Sequence, residues 1–178
     1  MLWSKPISYD LTRTPRRVSV PKGLTEQVPA APGIYVIIQT GENKIETSII
    51  DIGLAGLRDG NGTSKPKGLR GRIANTCAHS ASEKIAEDIK GEKLSGQIKI
   101  IWLTTATELE AKELEAGLIK LFEREFGRRP QYNTRNAISK NPQRFLGDMV
   151  LKIRTRNFLT SCTMNQSQRP KRKYTAEF

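Results

Sequence analysis

The chain has little of several things that would have narrowed its class at once. Its 178 residues include two cysteines, one histidine, and eighteen acidic residues against thirty Lys and Arg. Cys77 and Cys162 stand far apart and supply neither a disulfide framework nor a Cys-rich zinc site. They read as reduced thiols of a cytoplasmic protein. Apolar runs stop at about five residues, against the roughly twenty that a membrane helix needs, which excludes a transmembrane span. Met1 to Asp10 has no charged-then-apolar segment ending in small residues, so no export signal is expected. The length suits one compact domain with arms and is short for two filled cores.

The shortage of acids leaves a net charge of +12. Residues 1–31 hold five bases and two acids, 32–140 seventeen and fourteen, and 141–178 eight and two, giving +3, +3 and +6. Charge gathered outside the core does little for folding, but it raises affinity for a polyanion by releasing condensed counterions. Nucleic acid is therefore the expected partner, with a basic N-terminal arm (1–31), a core (32–140) and a basic C-terminal extension (141–178). Arg16, Arg17, Lys171, Arg172 and Lys173 are the candidate phosphate contacts in the arms, joined by Lys65, Lys67 and Arg70 beside the core. The alternative is that the arm clusters are solubilising tails or, for the second, a nuclear-import signal.

Residues 21–32 read as an extended, proline-spaced connection, after which ordered structure is expected to begin. Gly33 to Gln39 is a β-branched strand, followed by a turn and a second strand from Lys44 to Ile52. Strict alternation puts Ile49 and Asp51 on one face of that strand and Ile50 and Ile52 on the other. A loop rich in Gly, Lys and Pro leads to a short helix, Leu69 to about Ala78. Ser80 with Glu83 opens a second helix to about Lys90, Gln97 to Thr105 is a third strand, and Thr107 with Glu110 opens the longest helix, which ends near Gly127. A weaker helical pattern covers Arg144 to Ile153. This order predicts a small α/β (α+β) sandwich with a mostly antiparallel three-stranded sheet flanked by helices.

One residue of the long helix breaks its pattern. Ala111, Leu114, Leu118, Ile119, Phe122 and Phe126 form an apolar stripe, and Glu115 falls inside it. A carboxylate there costs several kcal/mol unless something positive faces it, so a divalent metal or an arginine is expected opposite, unless the side chain reaches water at the stripe's edge.

Taken together, the segments resemble the GIY-YIG nuclease superfamily. Gly33-Ile34-Tyr35 matches the first signature and Asp51-Ile52-Gly53 sits where the second belongs. Leu69-Arg70-Gly71-Arg72 looks like the arginine helix, Leu114-Glu115-Ala116-Gly117-Leu118-Ile119-Lys120 like the glutamate helix, and Arg129-Pro130-Gln131-Tyr132-Asn133 like the closing segment. The resemblance spans Pro32 to Asn133 and implies a GIY-YIG-type fold with residues 32–140 as the nuclease core. It implies that Tyr35 lies near the attacking water, that Arg72 contacts phosphate, that Glu115 holds the metal and that Asn133 supports them. His79, the sole histidine, resembles a family histidine that helps activate water. Two positions depart: the second signature's tyrosine is Asp51, which leaves its role open among proton acceptor, second metal contact and lost activity, and Leu54 follows Gly53.

The implied activity is that of a metal-dependent endonuclease acting on DNA with Mg²⁺ or Mn²⁺, since one carboxylate completed by water and phosphate suits a hard cation. Tyr35 would take a proton from water, directly or through His79, which requires its pKa to fall from about 10. Arg72 would steady charge on the phosphate oxygens. By residue chemistry alone Tyr35 could instead be a packing residue of the strand, Arg72 a solvated one, His79 a surface one and Asn133 a turn former. A core with basic extensions at both ends and no finger or separate binding domain looks like a restriction-type enzyme, a homodimer on DNA when it cuts symmetrically, cytoplasmic and associated with the nucleoid. The alternatives are a phage or mobile-element nicking enzyme, homing-like or repair-like, and a catalytically inactive binding module.

Overall fold

The computed structural model describes residues 2–13, 18–19, 21, 23–40, 47–56, 68–74 and 80–133. In chain order the elements are strands β1 (Ile7–Ser8), β2 (Thr12–Arg13) and β3 (Val18–Ser19), helix α1 (Leu24–Gln27), strands β4 (Gly33–Thr40) and β5 (Thr47–Ala55), helices α2 (Gly68–Ile73) and α3 (Ser80–Lys90), strand β6 (Gln97–Thr104) and helix α4 (Glu108–Phe126). The expected helix over Arg144 to Ile153 lies outside the described residues, as do Cys77 and Cys162.

β4, β5 and β6 are the three strands read from the sequence. β4 is the central one, paired antiparallel on both sides, and its near-continuous β-branched run suits a strand covered on both faces. The sheet nevertheless has four strands, not three, in the order β1-β6-β4-β5. The extra strand comes from the segment assigned to the basic arm. Ile7 pairs with Ile100 and Ser8 with Lys99, while Ser4 and Tyr9 extend the ladder through bonds from Ser4 N to Trp102 O (2.8 Å) and from Tyr9 N to Ile98 O (2.7 Å). Two residues cannot show a period, so no alternation could announce this strand. The connection over 21–32 also departs from a purely extended one: α1 is a single turn pinned by buried Leu24 and Val28, with Val28 N donating to Leu24 O at 3.1 Å.

Two apolar layers sandwich the sheet. On one face Ile34, Val36, Ile38, Ile101 and Leu103 pack against Ala111, Leu114, Leu118, Ile119 and Phe122 of α4, the stripe predicted for that helix. On the other, Tyr35, Ile37, Ile100 and Trp102 gather with Tyr9, Leu11, Leu69, Ile73 and Ile85. The ends of α4 follow its sequence signals. Thr107 Oγ1 accepts from Glu110 N at 3.1 Å, Glu110 Oε2 accepts from Ala106 N at 2.9 Å, and Gly127 closes the helix in the left-handed region at φ 67°.

Candidate active site

Strand β5 departs from simple alternation at the point that matters most. Ile37 faces Asp51 and Ile38 faces Ile49, so Ile50 is an extra residue in a β-bulge. A bulge turns two successive side chains to the same side of the sheet. Ile50 accordingly joins the layer of Tyr35 and Ile37, whereas Ile49 and Ile52 join the α4 layer. Asp51, opposite Ile37, shares the Tyr35 face. The expectation that Ile50 and Ile52 share a face fails because a bulge belongs to a pair of strands and leaves no mark on one.

Gly53 sits directly across from Tyr35, and a Cβ at Gly53 would run into Cζ and Oη of the Tyr35 ring. The absence of a side chain there makes room for the tip of the phenol ring, which reaches Asp51. Its hydroxyl donates a hydrogen bond to the Asp51 carboxylate. Both residues are nearly sealed from water, at 2% and 3% exposure. Asp51 Oδ2 is the one buried side-chain oxygen among the described residues without a hydrogen-bond partner.

Burial pushes the Asp51 carboxyl up to about 7, against opposing contributions from the Arg72 charge, the Ile52 N–H and the Tyr35 hydroxyl. Burial, and then the Asp51 charge, also raise Tyr35 well above the ordinary phenol value, outweighing Arg72. The direction is opposite to the one required for Tyr35 to act as a simple base. Of this pair, the carboxylate is the group whose pKa lies near neutrality.

Glu115 is half-buried at the sheet edge rather than enclosed in the apolar layer. It lies beside β5, where it takes a backbone hydrogen bond from Leu54, and burial followed by the Asp51 charge pushes it up to about 7. The cation expected opposite is Arg72: its charge favours the ionised forms of Asp51, Glu115, Tyr35 and also Tyr9. Arg72 is solvent-exposed on α2, so with half-buried Glu115 it forms the wet rim of a cluster whose other members, Tyr35, Asp51 and Tyr9, are buried. Helix α2 ends at Ile73 rather than near Ala78. Its start is fixed by Leu69 N to Ala31 O (2.8 Å) and Arg70 N to Pro29 O (3.0 Å). Arg70, expected to touch nucleic acid, commits its Nε to Val28 O at 2.8 Å and so braces the same junction.

Asn133 acts on the backbone. Its Oδ1 accepts from Ile52 N at 2.9 Å and its Nδ2 donates to Ile52 O at 2.6 Å, while Tyr132 N donates to Ile50 O at 2.9 Å. The closing segment thereby caps the free edge of β5 next to Asp51 and covers groups that would otherwise invite another strand. Tyr132 Oη reaches on to Asp88 at 2.7 Å, tying the segment to α3.

The sequence-predicted residues Tyr35, Arg72 and Glu115 therefore converge with Asp51, and Asn133 bonds the backbone of the next residue, Ile52, at the strand edge. His79, Arg16, Arg17, Lys65, Lys67, Lys171, Arg172 and Lys173 lie outside the described residues. Sequence reasoning missed Tyr9, buried in the same cluster, because it sits in a basic, patternless segment. It also missed that Gly53 makes room for Tyr35, although the motif itself contained that glycine.

Among the described residues no three His, Cys, Asp or Glu gather into a metal-holding group. A cation here would rely on Glu115, whose ionised form the nearby Asp51 charge disfavours and a divalent ion would restore, with water and phosphate oxygens completing the shell. The donor set therefore fits a hard, partly hydrated ion. No helix among the described residues is long and apolar enough to cross a membrane. Comparison with protein-family models, with curated proteins and with solved structures finds no match for the chain.

Proposed function

We propose that the chain is a GIY-YIG-type, metal-dependent endonuclease that hydrolyses DNA phosphodiester bonds, of the restriction type. The observation that carries this reading is the convergence of Tyr35, Asp51, Arg72 and Glu115, delivered by β4, β5, α2 and α4, into one electrostatically coupled cluster with a charged, solvent-facing rim. Four elements from distant parts of the chain meeting at unfavourable carboxylates is more than packing requires, and perturbed titrating groups of this kind gather at functional sites.

In this reading Arg72 receives the scissile phosphate and stabilises charge on its non-bridging oxygens. Asp51, with a pKa of about 7, is the proton acceptor near neutrality. Tyr35 relays: its hydroxyl proton passes to Asp51 while its oxygen takes one from the attacking water, the new P–O bond forms, and the old one breaks toward the leaving oxygen. Glu115 would hold Mg²⁺ or Mn²⁺, and the ion would supply Lewis-acid polarisation of the phosphate and charge neutralisation at the leaving oxygen. The basic residues outside the core supply phosphate contacts that hold the duplex. Two protomers, each with one site, would make a symmetric double-strand cut.

One observation favours an inert binding module instead: Tyr35 and Asp51 are both almost closed to solvent. Sequencing the product ends from a random-sequence duplex library incubated with Mg²⁺ separates the readings. A recurring palindrome is the expected result. Scattered ends would give a nicking or structure-directed enzyme, and the absence of new ends would overturn the hydrolytic reading.

A further inference from the structure

Tyr9 lies outside every signature segment, yet it is 1% exposed within the layer that contains Tyr35. Its hydroxyl donates to Ile73 O at 3.1 Å across 64 residues of sequence, in a buried setting. Ile73 is the last residue of α2 and follows Arg72. The last carbonyls of a helix lack intrahelical donors, and a six-residue helix has no independent stability. Its position must therefore be imposed at both ends. Residues 28–31 hold the start through Val28 O, Pro29 O and Ala31 O, and the Tyr9 hydroxyl holds the finish.

Tyr9 is itself well anchored. Its N–H bonds Ile98 O at 2.7 Å, and further out Trp102 N donates to Ser4 Oγ at 3.0 Å. A backbone clamped to β6 thus carries a phenol whose only flexible part is a ring packed in the core. We propose that Tyr9 is a positioning residue for Arg72: the segment just after β1 that carries it fixes the end of α2, and so fixes where the guanidinium meets the phosphate. The electrostatic influence of both Asp51 and Arg72 on Tyr9 places its hydroxyl within the same cluster. The inference rests on the nuclease reading for its catalytic consequence, though not for the mechanical link.

The test uses the full chain and Tyr9→Phe, which keeps the ring and removes only the donor. With Mg²⁺ and a cleavable duplex, kcat should fall by roughly ten- to a hundredfold, the scale of a small misplacement, with KM changed less than about twofold. Because the effect passes through Arg72, adding Tyr9→Phe to Arg72→Ala should cost less than about twofold more. Equal losses in the two backgrounds would overturn the proposal, as would an unchanged kcat. A second readout needs no activity: the Arg72 side-chain Nε–H resonance, identified by its loss in Arg72→Lys, should shift in Tyr9→Phe while that of Arg129 stays in place. An inert wild type would dismiss the nuclease reading and leave this resonance to decide the link, with an unmoved Arg72 signal refuting it. Should Tyr9→Phe not fold, Ser4→Ala, which removes the Trp102 N–H acceptor and loosens the same strand, takes its place with the same readouts and outcomes.

Discussion

Replacing Asp51 by Asn should remove much of the pH dependence of stability between about pH 4 and pH 7, leaving the variant relatively more stable at the upper end than at the lower. Burial raises the native carboxyl from its ordinary 3.8 to about 7. Between those values the native state keeps a proton that the unfolded chain has released, so the unfolding free energy declines as pH rises through the window and levels off above it. At about 1.4 kcal/mol per pH unit, the gap corresponds to a decline of about 4 kcal/mol for this one side chain. Asn cannot ionise and removes that contribution. It also relieves Glu115, whose rise to about 7 depends in part on the Asp51 charge, so the variant should lose more than half of the wild-type slope. Urea denaturation at steps from pH 4.5 to 7.5, comparing variant with wild type, reads this directly. Parallel curves, or a wild-type stability that rises through that window, would refute the placement of Asp51 as a buried, poorly solvated acid.

Four further outcomes follow from the same geometry. Gly53→Ala forces a methyl into the Tyr35 ring and should cost about 1–3 kcal/mol by denaturation while abolishing cleavage; a variant within 0.5 kcal/mol of wild type, a margin typical of surface changes, would show that the ring has room. Asn133→Ala leaves Ile52 N and O without their side-chain partners and should lower stability by about 1–3 kcal/mol, with amide exchange at Ile52 accelerating ahead of that in β4. Millimolar Mg²⁺ at pH 7.5 should raise the melting temperature of wild type but not of Glu115→Gln; equal shifts in both would move the ion elsewhere. Neutralising Lys171, Arg172 and Lys173 should flatten the salt dependence of duplex binding, by up to about 0.9 in log–log slope for each phosphate no longer neutralised, and an unchanged slope would remove that cluster from the interface.

The parts of this molecule that can be read in advance are those whose physics is local. The β-branched run of β4, the caps and apolar stripe of α4, and the misfit of Glu115 within that stripe are all set by neighbours a few residues away. The stripe predicts that Glu115 faces the core and a cation; it sits at the edge of β5, bonded to Leu54, with Arg72 as that cation. What cannot be read depends on pairs of distant segments. β1 exists because Ser4 and Tyr9 find backbone partners on β6. The bulge at Ile50 is a property of register, and the Tyr132–Asn133 clamp becomes visible only once β5 is known to be an edge strand. The direction of the Tyr35 shift escapes the sequence for a related reason. A positive neighbour is foreseeable, but enclosure by Tyr9, Gly53 and the layer around them is not, and burial outweighs Arg72.

The most direct test of the proposed hydrolytic centre is incubation of supercoiled plasmid with Mg²⁺ and either wild type or Glu115→Gln, with stability and duplex binding measured on both proteins. Wild type should give nicked and linear products and the variant at least a hundredfold less, the scale of losing a group that acts in the transition state, with binding retained. Equal cutting by the two proteins, or equal inertness with intact binding, would contradict it.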